Sequence, residues 1–242
     1  MLKKILYAIA LIFILGTLAY RLADEPRPEG EPGPRAEMLT DKMLKALNYD
    51  AWKGLNAIAW SYPLGHHYLW DKQSNLVRVA WNDYEVLLNP DDRSGIVFEN
   101  GKKINNPEDE KDLLHKAFEY FANDSFWLIA PFKCRDPGTT RSLVKYEGEE
   151  ALLVQYTSGG VTPGDAYLWL LDESGMPKAW KFWVQIVPVG GLKFTWEQWK
   201  NVQGAKISTY HDGLIDIEIT NLKWANNAAA LNNGEDPFER LR

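Results

Sequence analysis

The run Ala166-Tyr167-Leu168-Trp169-Leu170-Leu171 sets the architecture, together with Lys178-Ala179-Trp180-Lys181-Phe182-Trp183-Val184-Gln185-Ile186-Val187 one turn later. In the first run both alternating sets are apolar, with Tyr167, Trp169 and Leu171 opposite Ala166, Leu168 and Leu170. Successive side chains of a strand point to opposite faces, so this strand is expected to be covered on both. In the second run Trp180, Phe182, Val184 and Ile186 share one face, and Ala179, Lys181, Trp183, Gln185 and Val187 the other.

The same period-two pattern extends outward. Val77, Val79 and Trp81 oppose Arg78, Ala80 and Asn82; Leu192, Phe194 and Trp196 oppose Lys193, Thr195 and Glu197; Ile215, Ile217 and Ile219 oppose Asp216, Glu218 and Thr220. Gly95-Ile96-Val97-Phe98 runs into Asn100-Gly101, a tight-turn pair that tolerates positive φ. Strands spaced about every 10–15 residues, most with one polar face, predict a curved antiparallel sheet or partial barrel. Two amphipathic segments predict helices. Leu39, Met43, Leu44 and Leu47 form one face of residues 36–48. Asn106-Pro107 followed by Glu108, Asp109 and Glu110 is an N-cap with an acidic first turn, and Leu113, Leu114, Ala117, Phe118 and Phe121 continue as an apolar stripe. That helix is expected to end near Asn123-Asp124, with the apolar stretch Phe126–Ala130 belonging to the β-rich part. The fold class is therefore α+β: an incomplete, strongly curved antiparallel β-barrel whose concave side is covered by helices.

Composition narrows the function. The chain has 242 residues, 11 Trp, 11 Tyr and 9 Phe, but 4 His and 1 Cys, at a net charge of -6. The acidic balance argues against a nucleic-acid partner, which would require excess Lys and Arg. The single Cys134 excludes an internal disulfide framework and a Cys-rich zinc site. His66 and His67 face opposite sides of a strand, and neither His115 nor His211 has a second ligand at metal-binding spacing, so no metal, cofactor or catalytic residue is expected. Gly159–Asp165 is glycine-rich but lacks the Lys-Ser/Thr ending of a phosphate loop and reads as a turn between strands. Cys134, beside Arg135, has no nearby His and reads as a buried bystander.

The flanks read as separate objects. Residues 1–23 hold Lys3 and Lys4, then an apolar run from Ile5 to Tyr20, which suits either a cleaved export signal or a short inner-membrane anchor helix. The chain is then exported and periplasmic, soluble if cut and membrane-held through residues 5–20 if not. The run ends without a Cys, so N-terminal lipidation is excluded. Residues 24–35, rich in Pro and acid, read as a stiff extended linker with a reach of about 35 Å. Residues 36–224 form the domain, and residues 225–242, rich in Asn and Ala, read as a disordered tail. Residues 1–23 carry three positive charges, so the remainder has a net charge of -9.

Several segments together resemble the LolA-like proteins of the bacterial cell envelope, in an uncharacterised branch. They are Tyr49-Asp50-Ala51-Trp52; His67-Tyr68-Leu69-Trp70-Asp71 leading into Val77-Arg78-Val79; Ser125-Phe126-Trp127-Leu128-Ile129-Ala130-Pro131-Phe132-Lys133 with Asp136-Pro137-Gly138 behind it; and Gly160–Asp165 followed by Tyr167-Leu168-Trp169. The resemblance covers roughly residues 37–224. It implies an incomplete barrel closed by helices around an apolar cavity, where carriers of this fold hold acyl chains. A retained anchor departs from the carrier pattern, since a shuttle must leave the membrane. The expected function is non-enzymatic binding of a lipid or other apolar ligand, with Trp81, Trp169, Trp180, Phe182, Phe194 and Trp196 as the binding face. A barrel filled by its own aromatics, serving interaction with an envelope protein partner, is the alternative; a hydrolase is the third.

Overall fold

In the computed structural model, residues 24–158 and 162–242 are described. The apolar segment 1–23 and part of the Gly159–Asp165 turn, residues 159–161, lie outside them. Among the described residues no helix is long and apolar enough to cross a membrane.

The chain is α+β with antiparallel pairing throughout. Helices α1 (Pro34–Ala46) and α2 (Tyr49–Gly54) come first. Strands β1 (Ala57–Tyr62), β2 (His66–Asp71), β3 (Leu76–Trp81), β4 (Tyr84–Leu88), β5 (Gly95–Glu99) and β6 (Lys102–Lys103) follow. Helix α3 (Pro107–Ile129) leads into β7 (Thr139–Tyr146), β8 (Glu149–Tyr156), β9 (Ala166–Leu171), β10 (Pro177–Trp183) and β11 (Leu192–Thr195). Short strands β12 (Lys200–Val202), β13 (Ala205–Ile207), β14 (Tyr210–His211) and β15 (Ile217–Glu218) precede β16 (Thr220–Ala225) and helix α4 (Ala228–Leu231). The strands form two open sheets, β16-β1-β2-β3-β4-β5-β6 and β11-β10-β9-β8-β7, plus two small ladders. The expected single curved sheet is thus divided, and no closed barrel forms among the described residues. Helix α3 accounts for the division: it is inserted between β6 and β7, about 35 Å long at 1.5 Å per residue.

Helix α3 begins as its sequence dictates, with the Asn106 side chain accepting from the Glu108 N–H at 3.1 Å and Pro107 in the first turn. It does not stop at Asn123-Asp124 but runs to Ile129. Asp124 would ordinarily compete with the helix by bonding nearby backbone. Here its Oδ2 is engaged by His66 Nδ1 at 2.7 Å and by the Tyr68 hydroxyl, both on β2, so the backbone stays helical. Phe126 and Trp127, expected in a β-rich stretch, are helical and pack on the second sheet.

Strand parity holds. Val77, Val79, Trp81, Tyr167, Trp169, Trp180 and Phe182 all belong to the central core between helices and sheets. The strand read as Lys178–Val187 ends at Trp183, and β15 spans only Ile217–Glu218, leaving Ile215 exposed. Asn100 (φ 49°) and Gly101 (φ 74°) make the tight turn into β6.

Both flanks fold against the domain, which corrects their reading as linker and tail. The outer face of the first sheet carries Leu69, Leu76, Leu87 and Phe98, and these are covered by Ala228, Leu231, Phe238 and Leu241. Phe238 is fully buried. Low average hydrophobicity of residues 225–242 hid the few apolar side chains that a sheet face can bury. Phe238→Ala is expected to cost about 2 kcal/mol, less than a central Phe, because this C-terminal clip can lift off as a unit rather than hold a void. Faster tryptic cleavage at Arg240 and raised hydrogen exchange in α4 would register it; unchanged rates would contradict it.

On the second sheet, Val144, Ala151, Leu153, Ala166 and Leu168 form an outer apolar cluster. Residues 24–33 cross it as a strap. Glu31 and Leu143 exchange backbone hydrogen bonds at 2.9 and 2.8 Å, and the Trp183 indole donates to the Glu25 carbonyl at 2.7 Å. Lys181, 5 % exposed on this face, is paired with Glu25 and donates to the Tyr146 hydroxyl at 3.0 Å. Burial works against its charge, but these two partners outweigh it and the ammonium pKa is raised. The sequence was read as an unattached Pro-rich spacer because the buried Lys181 that captures Glu25 lies 156 residues away.

Candidate functional site

One face of α3 and the inner face of the second sheet enclose a cavity of about 590 Å³. The helix supplies Phe118, Phe121, Ala122, Phe126, Trp127 and Ile129; the sheet supplies Tyr156, Tyr167, Trp180 and Phe182. Val184, Ile186 and Val187, from the loop after β10, form a further wall, and Trp70 of β2 brings in the first sheet. The volume lies within the roughly 300–1,000 Å³ of small-molecule sites.

The polar groups among the lining residues mostly satisfy one another. Asn75 donates to Asp91 at 2.8 Å, Lys133 pairs with Asp136, and the Thr162 hydroxyl donates to Asp165. Burial raises the Asp165 pKa, opposed by that hydroxyl and by the Gln185 N–H at 3.0 Å. Two polar atoms of the lining residues are different. The Tyr156 hydroxyl and the Trp180 indole N–H are buried and have no hydrogen-bond partner among the described residues. Burial holds the Tyr156 phenol pKa well above its ordinary value, so it stays neutral and able to donate. Both atoms lie beneath the cavity surface, as do the buried indole nitrogens of Trp169 and Trp196 behind them.

Of the six residues expected to form the binding face, Trp180 and Phe182 line the cavity. Trp169 and Trp196 stand behind Trp180, with ring centroids 5.1 and 5.0 Å from it. Phe194 stacks on Phe182 at 5.7 Å and meets Trp127 at 4.9 Å. Trp81 belongs to the other sheet, against Tyr84 and Tyr120. Strand parity placed the first five on one face but could not separate the layer that meets open space from the layer that packs on itself. The sequence reading missed the helical wall. Its signal was present, since Phe118, Ala122, Phe126 and Ile129 fall at i, i+4, i+8 and i+11 on one helical stripe once the helix is carried past Asp124.

Other titratable groups are buried apart from the cavity lining. His66, Tyr68 and Asp124 form a compact lock between β2 and α3, with the His66 ring stacked 4.0 Å from Tyr120. Burial raises the Asp124 pKa, and the bonds from Tyr68 and His66 oppose it. As expected from the alternation, His67 faces the other way, its Nδ1 2.8 Å from the Ser61 hydroxyl. Cys134 is fully buried; burial pushes its thiol pKa up to about 12 despite Arg135 and Arg141, which leaves it unreactive. His211 is enclosed by Trp127 and Trp196, and burial pushes its pKa down to about 4, against the opposing Thr195 and Trp127 carbonyls. Among the described residues no three His, Cys, Asp or Glu side chains gather as a metal site would require.

No protein-family model matches this chain, and no curated protein does. Among solved structures, it is similar to a DUF1329 family protein from Desulfovibrio piger, at 9% identity and a TM-score of 0.41, over 81% of this chain and 94% of that one.

Proposed function

We infer that the protein is a non-enzymatic cell-envelope protein that binds a lipid-like ligand in the cavity between α3 and the second sheet. In this reading the two sheets are the walls of a LolA-like incomplete barrel, and the chain works on the exported side of the inner membrane. One observation carries it: an aromatic-lined space of about 590 Å³ between α3 and the second sheet. Apolar walls favour hydrocarbon, because each buried methylene is worth about 0.8 kcal/mol.

Titration of the full-length protein with a fluorescent fatty acid tests this. Saturable binding is expected, abolished by Ala122→Trp, which fills the space from the helix side. No saturable binding by the wild-type protein would sink the reading.

The packing of Trp169, Trp180 and Trp196 on one another favours the second reading, an interaction domain whose interior is filled by its own aromatics. Under that reading Ala122→Trp destabilises the fold and no ligand co-purifies.

A further inference from the structure

We propose that the loop joining β10 to β11, residues 184–191, is a membrane-facing mouth through which the ligand passes between a lipid leaflet and the cavity. The proposal rests on the cavity being a lipid site and adds where that lipid comes from. Its basis is the point at which the N-terminal strap is tied down. The Gly190 N–H donates to the Asp24 carboxylate at 2.9 Å, and the Glu25 N–H donates to the Gly190 carbonyl at 3.2 Å. The apolar run Ile5–Tyr20 ends four residues before Asp24. An extended chain advances at most about 3.6 Å per residue, so four residues span no more than about 15 Å. A bilayer that takes up the apolar run would therefore lie within reach of the loop.

The same loop walls the cavity through Val184, Ile186 and Val187. Ile186 is 64% exposed. Beside β11, Asp212 hydrogen-bonds Thr195, and a Cβ on Gly213 would fall 2.3 Å from the Phe194 ring, so the segment that follows starts out along this sheet edge. It carries Leu214 and Ile215, 78% and 65% exposed. Large aliphatic side chains this exposed suit insertion among lipid headgroups. The charges around the loop are mixed, Asp24, Asp212 and Asp216 against the exposed Lys193 of β11, so the aliphatic side chains carry the contact.

Full-length protein in vesicles of phosphatidylethanolamine and phosphatidylglycerol tests this, with an environment-sensitive fluorophore on Ile186→Cys and lipids quenching at headgroup depth. Cys134 is fully buried, so the introduced thiol takes the label. Lys102→Cys, on the edge strand β6 of the first sheet, is the control. Several-fold stronger quenching at 186 than at 102 is expected. Glu25→Arg, which repels Lys181 and releases the strap, is expected to remove that excess while the protein stays vesicle-bound. Equal quenching at the two positions overturns the proposal, as does N-terminal sequencing that finds the apolar run removed in cells. The fatty-acid titration keeps the two ideas apart: binding without excess quenching at 186 defeats the mouth alone, whereas excess quenching without binding defeats the cavity reading and the passage with it.

Discussion

Trp180→Ala is expected to lower unfolding free energy by about 3–5 kcal/mol, the largest effect of any single truncation in this protein. Trp180 is 1% exposed and lies at the centre of an aromatic cluster, with ring centroids 4.8 Å from Tyr167, 5.0 Å from Trp127 and Trp196, and 5.1 Å from Trp169. Removing the indole deletes contacts to helix and sheet at once, and the neighbours are held by one another, so they close the gap poorly. The void also opens into the existing cavity. Chemical denaturation should therefore show a lower midpoint, and a saturating apolar ligand should recover part of the loss by occupying the enlarged space. Trp224→Ala is the control. Its side chain is 39% exposed on β16, and a change within about 0.5 kcal/mol is expected. Similar losses for the two variants would contradict a Trp180-centred core.

Acidification is expected to remove about 3 kcal/mol through His211 alone. Its pKa falls from 6.5 to about 4 on folding because burial disfavours the imidazolium. A depressed folded-state pKa means that the unfolded chain binds the proton more readily. The contribution is fully present above pH 6.5, declines as pH falls through the window from 6.5 to 4, and is gone below it, each unit of pKa difference being worth about 1.4 kcal/mol. Asp124 and Asp165, whose pKa values burial raises, act in the opposite sense from 3.8 upward, so the net slope is shallower at the acid end. Urea unfolding at pH 7.5, 5.5 and 4.5 would show the decline. His211→Phe keeps a ring between Trp127 and Trp196 and carries no proton; it should start less stable, having lost the bond to the Thr195 carbonyl, and lose much less on acidification. A wild-type slope retained in His211→Phe would assign the acid sensitivity elsewhere.

Alternation in Ala166–Leu171 and Lys178–Trp183 made the antiparallel sheet and its buried face legible, because period two is a local property of strands. The caps at Asn106 and the Asn100-Gly101 turn were legible for the same reason. What escaped were features decided by partners distant in sequence. Asp124 reads as a helix end until His66 and Tyr68 arrive from β2. Residues 24–33 read as solvent-filled spacer until Lys181 and Leu143 bind them. Of the six residues expected to bind, Trp180 and Phe182 lie along the cavity, and its helical wall was hidden by the misplaced end of α3.

The pairing of β16 with β1 sets the order in which the chain can mature. Ala57 faces Ala225, and Ile58 faces Trp224, so the first strand to be synthesised is joined on one side by the last. The strap makes a comparable span between Glu25 and Lys181. Loops this long close slowly, and neither contact can form while the C-terminal part is still emerging. Folding of this sheet therefore completes only once residues 220–225 have been made. Until then the edge of β1 stays open to strands of other chains.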